Sequence, residues 1–138
     1  AVNIGPMFKE EFVQKLGDIS EGIVENGFWH PDLPYEGARA FFDAYVAKYK
    51  KTPSTDAAYA YIGNQVLQQA IDQAGTLDRE KIAATLHSGK FTTILGPYEY
   101  DQNGVNKHQL SFLAQIQKGE RVIVWPKEIT KGALKLPY

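Results

Sequence analysis

The residues most able to hold a metal or move a proton are three histidines, His30, His87 and His108. They are far apart in sequence, and no pair has the spacing of metal ligands. His87 falls at the end of a helical stretch, where an imidazole suits the negative end of the helix dipole. "DQNG" (101–104) begins like a calcium loop. The full loop needs a further ligand before the glycine and a glutamate about six residues after it, and position 110 is Leu. The stretch therefore reads as a plain β-turn. Ser20 and Glu21 with a distant histidine could suggest a nucleophile, but no G-x-S-x-G elbow is present. Neither a P-loop nor G-x-G-x-x-G occurs. No catalytic motif and no metal set remains, so the expectation is a non-enzymatic protein without a cofactor. What remains is "SEGIVENGFWHPDLPY" (20–35). Glu21 opens an apolar strand, and Phe28 and Trp29 stand at its end. The acid is either a surface carboxylate or a ligand partner, and the aromatics are either core packing or a cleft wall.

Composition narrows the setting. The 138 residues fit one domain on length, with 43% hydrophobic and 22% charged residues. Fifteen Lys and Arg against sixteen Asp and Glu give a net charge of −1, so no basic excess points to nucleic acid. The longest apolar runs, such as "VIVW", are far short of the roughly 20 residues that span a bilayer. No leader or lipidation motif is evident, which fits a cytosolic protein, a mature secreted one, or a fragment. The absence of cysteine removes disulfides and thiol chemistry.

The elements that must position these residues follow from periodicity. "AVNIG" (1–5) reads as a strand. "FKEEFVQKLG" reads as a helix with Phe8, Phe12, Val13 and Leu16 on one face and Gly17 after its end. "EGIVENGFW" reads as a second strand, which completes a βαβ unit and favours parallel pairing. Pro31 and Pro34 make an extended crossing. "YEGARAFFDAYVAKYKK" is amphipathic, with Ala38, Phe41, Phe42, Tyr45, Val46 and Tyr49 as its stripe. "DAAYAYIGNQVLQQAIDQAG" presents Tyr59, Ile62, Gly63, Val66, Leu67, Ala70, Ile71 and Ala74 on one face, with Gly63 admitting a close neighbour. "LDREKIAATLHSG" is a shorter helix capped by Asp78 and stopped at Gly89. From Gly89 onward the pattern turns β-rich, and "QLSFLAQIQ-KGE-RVIVW" looks like a hairpin. Two early strands are too few for the helices around them.

Several longer stretches carry a family resemblance: "GPMFKEEFVQKLGDISEGIV", "HPDLPYEGARAFFDAYVAKYKKTPSTDAAYAYIGNQVLQQAIDQAG", "LDREKIAATL" and "LGPYEYDQNGVNKHQLSFLAQIQKGERVIVWP". In this order they closely resemble the C-terminal half of type I periplasmic solute-binding proteins of the branched-chain amino acid ABC transporters. The resemblance implies an α/β fold of Rossmann-like parallel sheet lobes, here a C-terminal portion ending in a β-hairpin. Residues 1–30 would be part of the second lobe, 31–107 mainly first-lobe helices and a crossing, and 108–138 the second-lobe hairpin and tail. It also implies a ligand clamped by hinge closure of two lobes.

Carried over residue by residue, the resemblance implies that Glu21 pairs with a ligand ammonium and that Asp56 faces the ligand from the start of the long helix. It places Met7, in "GPM", at the cleft rim. Phe28 and Trp29 would line the cleft, because strand C-terminal ends in open α/β sheets face the ligand crevice. The implied function is capture of an amino acid or related small carboxylate for a membrane permease, in the periplasm or tethered outside the membrane. Two other readings stand beside it: a sensor-type ligand-binding domain, and a half that self-assembles without native ligand binding. The wide apolar faces of residues 38–50 and 56–74 favour a homodimer of the fragment.

Overall fold

The computed structural model describes residues 2–3, 10–108 and 110–136. The chain divides into two compact units, one made of Ala1–His30 with Ser111–Tyr138, the other of Pro31–Leu110.

The first unit is built on a four-stranded sheet. Strands β1 (Val2–Asn3), β2 (Val24–Gly27), β5 (Phe112–Gln117) and β6 (Glu120–Trp125) lie in the order β1-β2-β5-β6. β1 and β2 pair in parallel, with Val2 opposite Val24, and helix α1 (Glu10–Leu16) connects them. That is the βαβ unit read from the sequence. A four-residue 3-10 turn, Gly17–Ser20, follows α1, and Gly17 takes a left-handed φ of 51°. The β5–β6 hairpin then joins antiparallel to β2, Gly27 opposite Phe112 and Val24 opposite Gln115. Period-two geometry sorts its side chains. Glu25, Phe112, Ala114, Ile116 and Ile123 are buried together. Full burial of each large apolar side chain contributes about 1.5–3 kcal/mol.

A tail closes the outer side of this sheet through glutamines rather than through another strand. Gln115, 1% exposed, takes the backbone of Lys135 on both sides: Lys135 N–H donates to its Oε1 at 2.9 Å, and its Nε2 donates to Lys135 O at 2.7 Å. Gln117 Nε2 donates to Ala133 O at 2.8 Å.

The second unit is helical with a small hairpin. It comprises α2 (Ala38–Tyr49), α3 (Thr55–Ala74), α4 (Arg79–Ser88) and the antiparallel pair β3 (Phe91–Thr93) and β4 (Gly96–Tyr98). The caps explain the bounds. Ser54 Oγ accepts from Ala57 N–H at 3.2 Å and Asp78 accepts from Lys81 N–H at 3.0 Å, each satisfying an amide that the first turn leaves free. Gly75, at φ 63°, ends α3 in the left-handed conformation that glycine tolerates best. Ala58, Ile62, Val66 and Ala70, spaced by four, form the buried stripe of α3, and Phe91, Ile94 and Leu95 are buried beside them in the same unit. Along α3, Gln65, Gln69 and Gln73 reach the hairpin backbone. Gln65 accepts from Ile94 N–H (3.0 Å), Gln69 accepts from Thr92 N–H (3.0 Å) and donates to Thr92 O (2.8 Å), and Gln73 donates to Lys90 O (3.1 Å).

Three expectations change. The second strand is Val24–Gly27 rather than the nine residues 21–29, because the 3-10 turn carries the chain to Ser20 and Phe28 leaves the ladder. Gly63 is exposed, and a Cβ there would meet nothing within 4 Å among the described residues, so it marks no close approach. Leu67 and Tyr49 belong to their helices' apolar patterns but stand 45% and 50% exposed. Met7, Phe8 and the end of the 1–5 strand lie outside the described residues.

Candidate functional site

The C-terminal end of β2 is where the predicted aromatic pair emerges. Gly27, the last strand residue, lies against the Phe112 ring, and any side chain there would collide with it. His30 meets the same Phe112 ring edge-on, with centroids 6.3 Å apart, and its Nε2 lies 3.1 Å from Arg121 O. These contacts fix the path of the two residues between. Trp29 is 4% exposed and Phe28 is half-buried. Trp29 thus anchors the segment, and Phe28 keeps a face open to solvent.

Glu21 does not join this pair. Its surroundings are not an apolar strand start: it is exposed and sits in the turn after the 3-10 segment. Its carboxylate accepts from the backbone N–H of Lys118 (2.8 Å) and of Gly119 (2.5 Å), the two residues of the β5–β6 turn. Because β5 runs antiparallel to β2, that turn lies beside the N-terminal end of β2, whereas Phe28 and Trp29 follow its C-terminal end. The acid and the aromatics therefore occupy opposite ends of one strand. Asp56 belongs to the other unit. It is exposed in the first turn of α3, where a carboxylate favours the positive end of the helix dipole.

Sequence reasoning missed the most unusual carboxylate. Glu25 is 1% exposed and is paired to the Arg121 guanidinium. Its Oε2 is buried without a hydrogen-bond partner among the described residues. Burial is the larger influence and holds its carboxyl above the usual range, against the opposing charge and hydrogen bond of Arg121. The available signal was phase. In a strand that alternates in and out, Glu25 shares the inward phase with Gly27, and such a carboxylate needs a cation from a neighbouring strand. In the other unit Glu99 gathers Lys107 at 2.7 Å, Lys90 at 3.9 Å and His108 at 3.7 Å, and the hydrogen bond from Lys107 leads in lowering its pKa. "DQNG" is a turn closed on itself: Asp101 accepts from the N–H groups of Asn103 (2.8 Å) and Val105 (2.9 Å), and Gly104 takes a φ of 77°. Among the described residues no three His, Asp or Glu side chains converge to hold a metal ion.

A family model described as periplasmic binding protein matches residues 2–121. The chain belongs to the periplasmic binding protein family. Solved structures agree. A leucine-binding protein LivK from Thermotoga maritima is 27% identical at a TM-score of 0.73, over 88% of this chain and 35% of that one. The substrate-binding protein LivJ from Streptococcus pneumoniae, in complex with isoleucine, is 25% identical at 0.73, over 87% and 34%. An ABC transporter solute-binding protein from R. palustris, in complex with benzoate, shares the fold at 0.69 and 22% identity, over 80% and 31%. This periplasmic binding protein chain thus has the type I fold and spans about a third of the length of those relatives. The family's fold is that of solute-binding proteins. No helix among the described residues is long and apolar enough to cross a membrane.

Proposed function

We propose that this chain is part of the extracytoplasmic solute-binding component of an ABC importer, that its solute is an amino acid or related small carboxylate, and that it delivers this solute to a membrane permease from the periplasm or from a tethered position outside the membrane. The observation that carries the reading is the likeness, over nearly nine-tenths of the chain, to proteins named for leucine or holding isoleucine. The end of β2 supports it. Solutes of open α/β sheets bind beyond the C-terminal ends of the strands, and Phe28 there offers a half-buried aromatic ring next in sequence to buried Trp29. Leucine, isoleucine and benzoate all join a carboxylate to an apolar group, which such a face suits.

Calorimetric titration of the complete polypeptide with leucine, isoleucine and benzoate tests this. Binding near 1 µM corresponds to about −8 kcal/mol. Phe28→Ala should weaken it about tenfold or more, as expected for losing one buried aromatic contact. Glu21→Gln should leave affinity unchanged, since the acid serves the hairpin turn. If none of the three solutes binds, the reading fails. A large affinity loss in Glu21→Gln would return that acid to the site.

A further inference from the structure

We infer that the depression at the hairpin end of the first unit is a binding site for a phosphate-class dianion, separate from any solute site at the C-terminal end of β2. The depression measures about 390 Å³, and its lining includes Lys118, Lys131, Lys135, Gln117 and Glu120. Three lysines and one glutamate give this lining a formal charge of two positive. None of the three lysines makes an ion pair among the described residues. The like charges repel one another, and a dianion would relieve that repulsion. Ammonium groups act as point charges on a many-oxygen anion rather than as a flat two-pronged clamp, so phosphate fits this set better than a single carboxylate does.

Two features fix the backbone that carries these lysines. Lys131 and Lys135 lie on the tail, and its backbone is tied down. Lys131 N–H donates to Ile123 O at 2.8 Å, and Lys135 is bonded on both sides by Gln115. Residues 13 and 17 positions beyond Lys118 are thereby brought to the same depression. Lys118 itself has a φ of 57° in a two-residue turn with Gly119 at 77°. Asn, Asp or Gly would fit that left-handed position better, so turn geometry does not explain a lysine there.

The same oxygens could come from a free phosphate monoester or from a lipid headgroup. The test therefore has two arms at low ionic strength, where surface charge is least screened. In the first, the protein is titrated with inorganic phosphate and glycerol 3-phosphate and followed by amide NMR shifts. In the second, it is sedimented with vesicles of phosphatidylcholine alone or mixed equally with phosphatidylglycerol. Saturable shifts at residues 117–120 and 131–135 identify a free phosphate, and sedimentation with the anionic vesicles alone identifies a headgroup. Lys131→Gln with Lys135→Gln should weaken whichever is seen by roughly three- to tenfold, the scale of two partly exposed charge contacts. Lys118→Asn should weaken it too while leaving the fold intact, since asparagine suits the left-handed turn position. Absence of saturable binding in both arms, or undiminished binding in the double variant, would overturn the inference. So would undiminished binding in Lys118→Asn.

Discussion

In the Pro31–Leu110 unit, Gln65, Gln69 and Gln73 project from successive turns of α3 onto the backbone of Ile94, Thr92 and Lys90. In the other unit, Gln115 and Gln117 project from one face of β5 onto the backbone of Lys135 and Ala133. Both sets use a primary amide to imitate a neighbouring strand, because the amide carries the donor and acceptor of a peptide group. The helical set works because the pitches match. Four helical residues rise about 6 Å, close to the roughly 6.6 Å of two strand residues, so a glutamine at every fourth position meets every second peptide. The strand set works because alternate residues of β5 face the same way. The difference lies in water. Gln115 is 1% exposed and also donates to Gly22 O at 3.0 Å, whereas Gln73 stands in solvent. Equal geometry should therefore carry unequal energy, because a buried group left unbonded bears its full desolvation cost.

The first unit adds a buried carboxylate paired to a partly buried guanidinium, and breaking that pair is the largest expected effect. Arg121→Met leaves Glu25 buried without its cation, so that the acid must stay charged or take up a proton on folding, which should destabilise by about 3–5 kcal/mol near neutral pH. The pH dependence has a definite sign. Burial already holds the Glu25 pKa above its ordinary 4.5, so the fold prefers the protonated acid. The contribution from this group is fully present below pH 4.5 and is lost as pH rises through the raised value. Removing Arg121 raises that value further. Denaturant melts at about pH 4 and pH 8 should show the Arg121→Met deficit much larger at the higher pH, and Glu25→Gln should flatten the profile. An Arg121→Met deficit independent of pH would mean that the guanidinium packs rather than pairs.

Next comes the comparison of the two ladders. Gln115→Leu keeps approximate size but strands Gly22 O and both polar groups of Lys135, and should cost about 2–4 kcal/mol in chemical denaturation. Gln69→Leu, in the exposed ladder, should cost only about 0.5–1.5 kcal/mol, since water can reach the freed Thr92 groups. If the two losses are equal, burial does not distinguish the ladders. Hydrogen exchange sharpens the point at the smallest scale. The Lys135 amide should exchange much faster in Gln115→Leu, while the Thr92 amide should change little in Gln69→Leu, already being within reach of solvent.

Much of the fold could be read from the chain. The βαβ opening, the helix capped by Asp78 and the final hairpin around Lys118 and Gly119 rest on local signals: a cap, a left-handed glycine, a two-residue turn. The site was less legible because its geometry is not local. The resemblance implied a ligand partner for Glu21, and no local signal announced the two backbone amides its carboxylate accepts from, 97 and 98 residues away. Glu25 looked ordinary, and its partner is 96 residues away. Both glutamine ladders likewise join segments distant in sequence, and no periodicity within one element reveals what a side chain will meet on another.

The chain path has a consequence for the order in which the protein can be made. β2 needs β5, and β5 follows only after the whole Pro31–Leu110 unit has been synthesised. That unit is continuous and can close its own contacts as soon as its last residues emerge. Until then β2 waits with an open edge and with Glu25 lacking its guanidinium, solvated and ionised. Loop closure over such a span is slow compared with local pairing. A nascent chain paused before residue 111 would thus carry a finished helical unit beside an unfinished sheet, and the edge of β2 would be the surface that a chaperone has to shield.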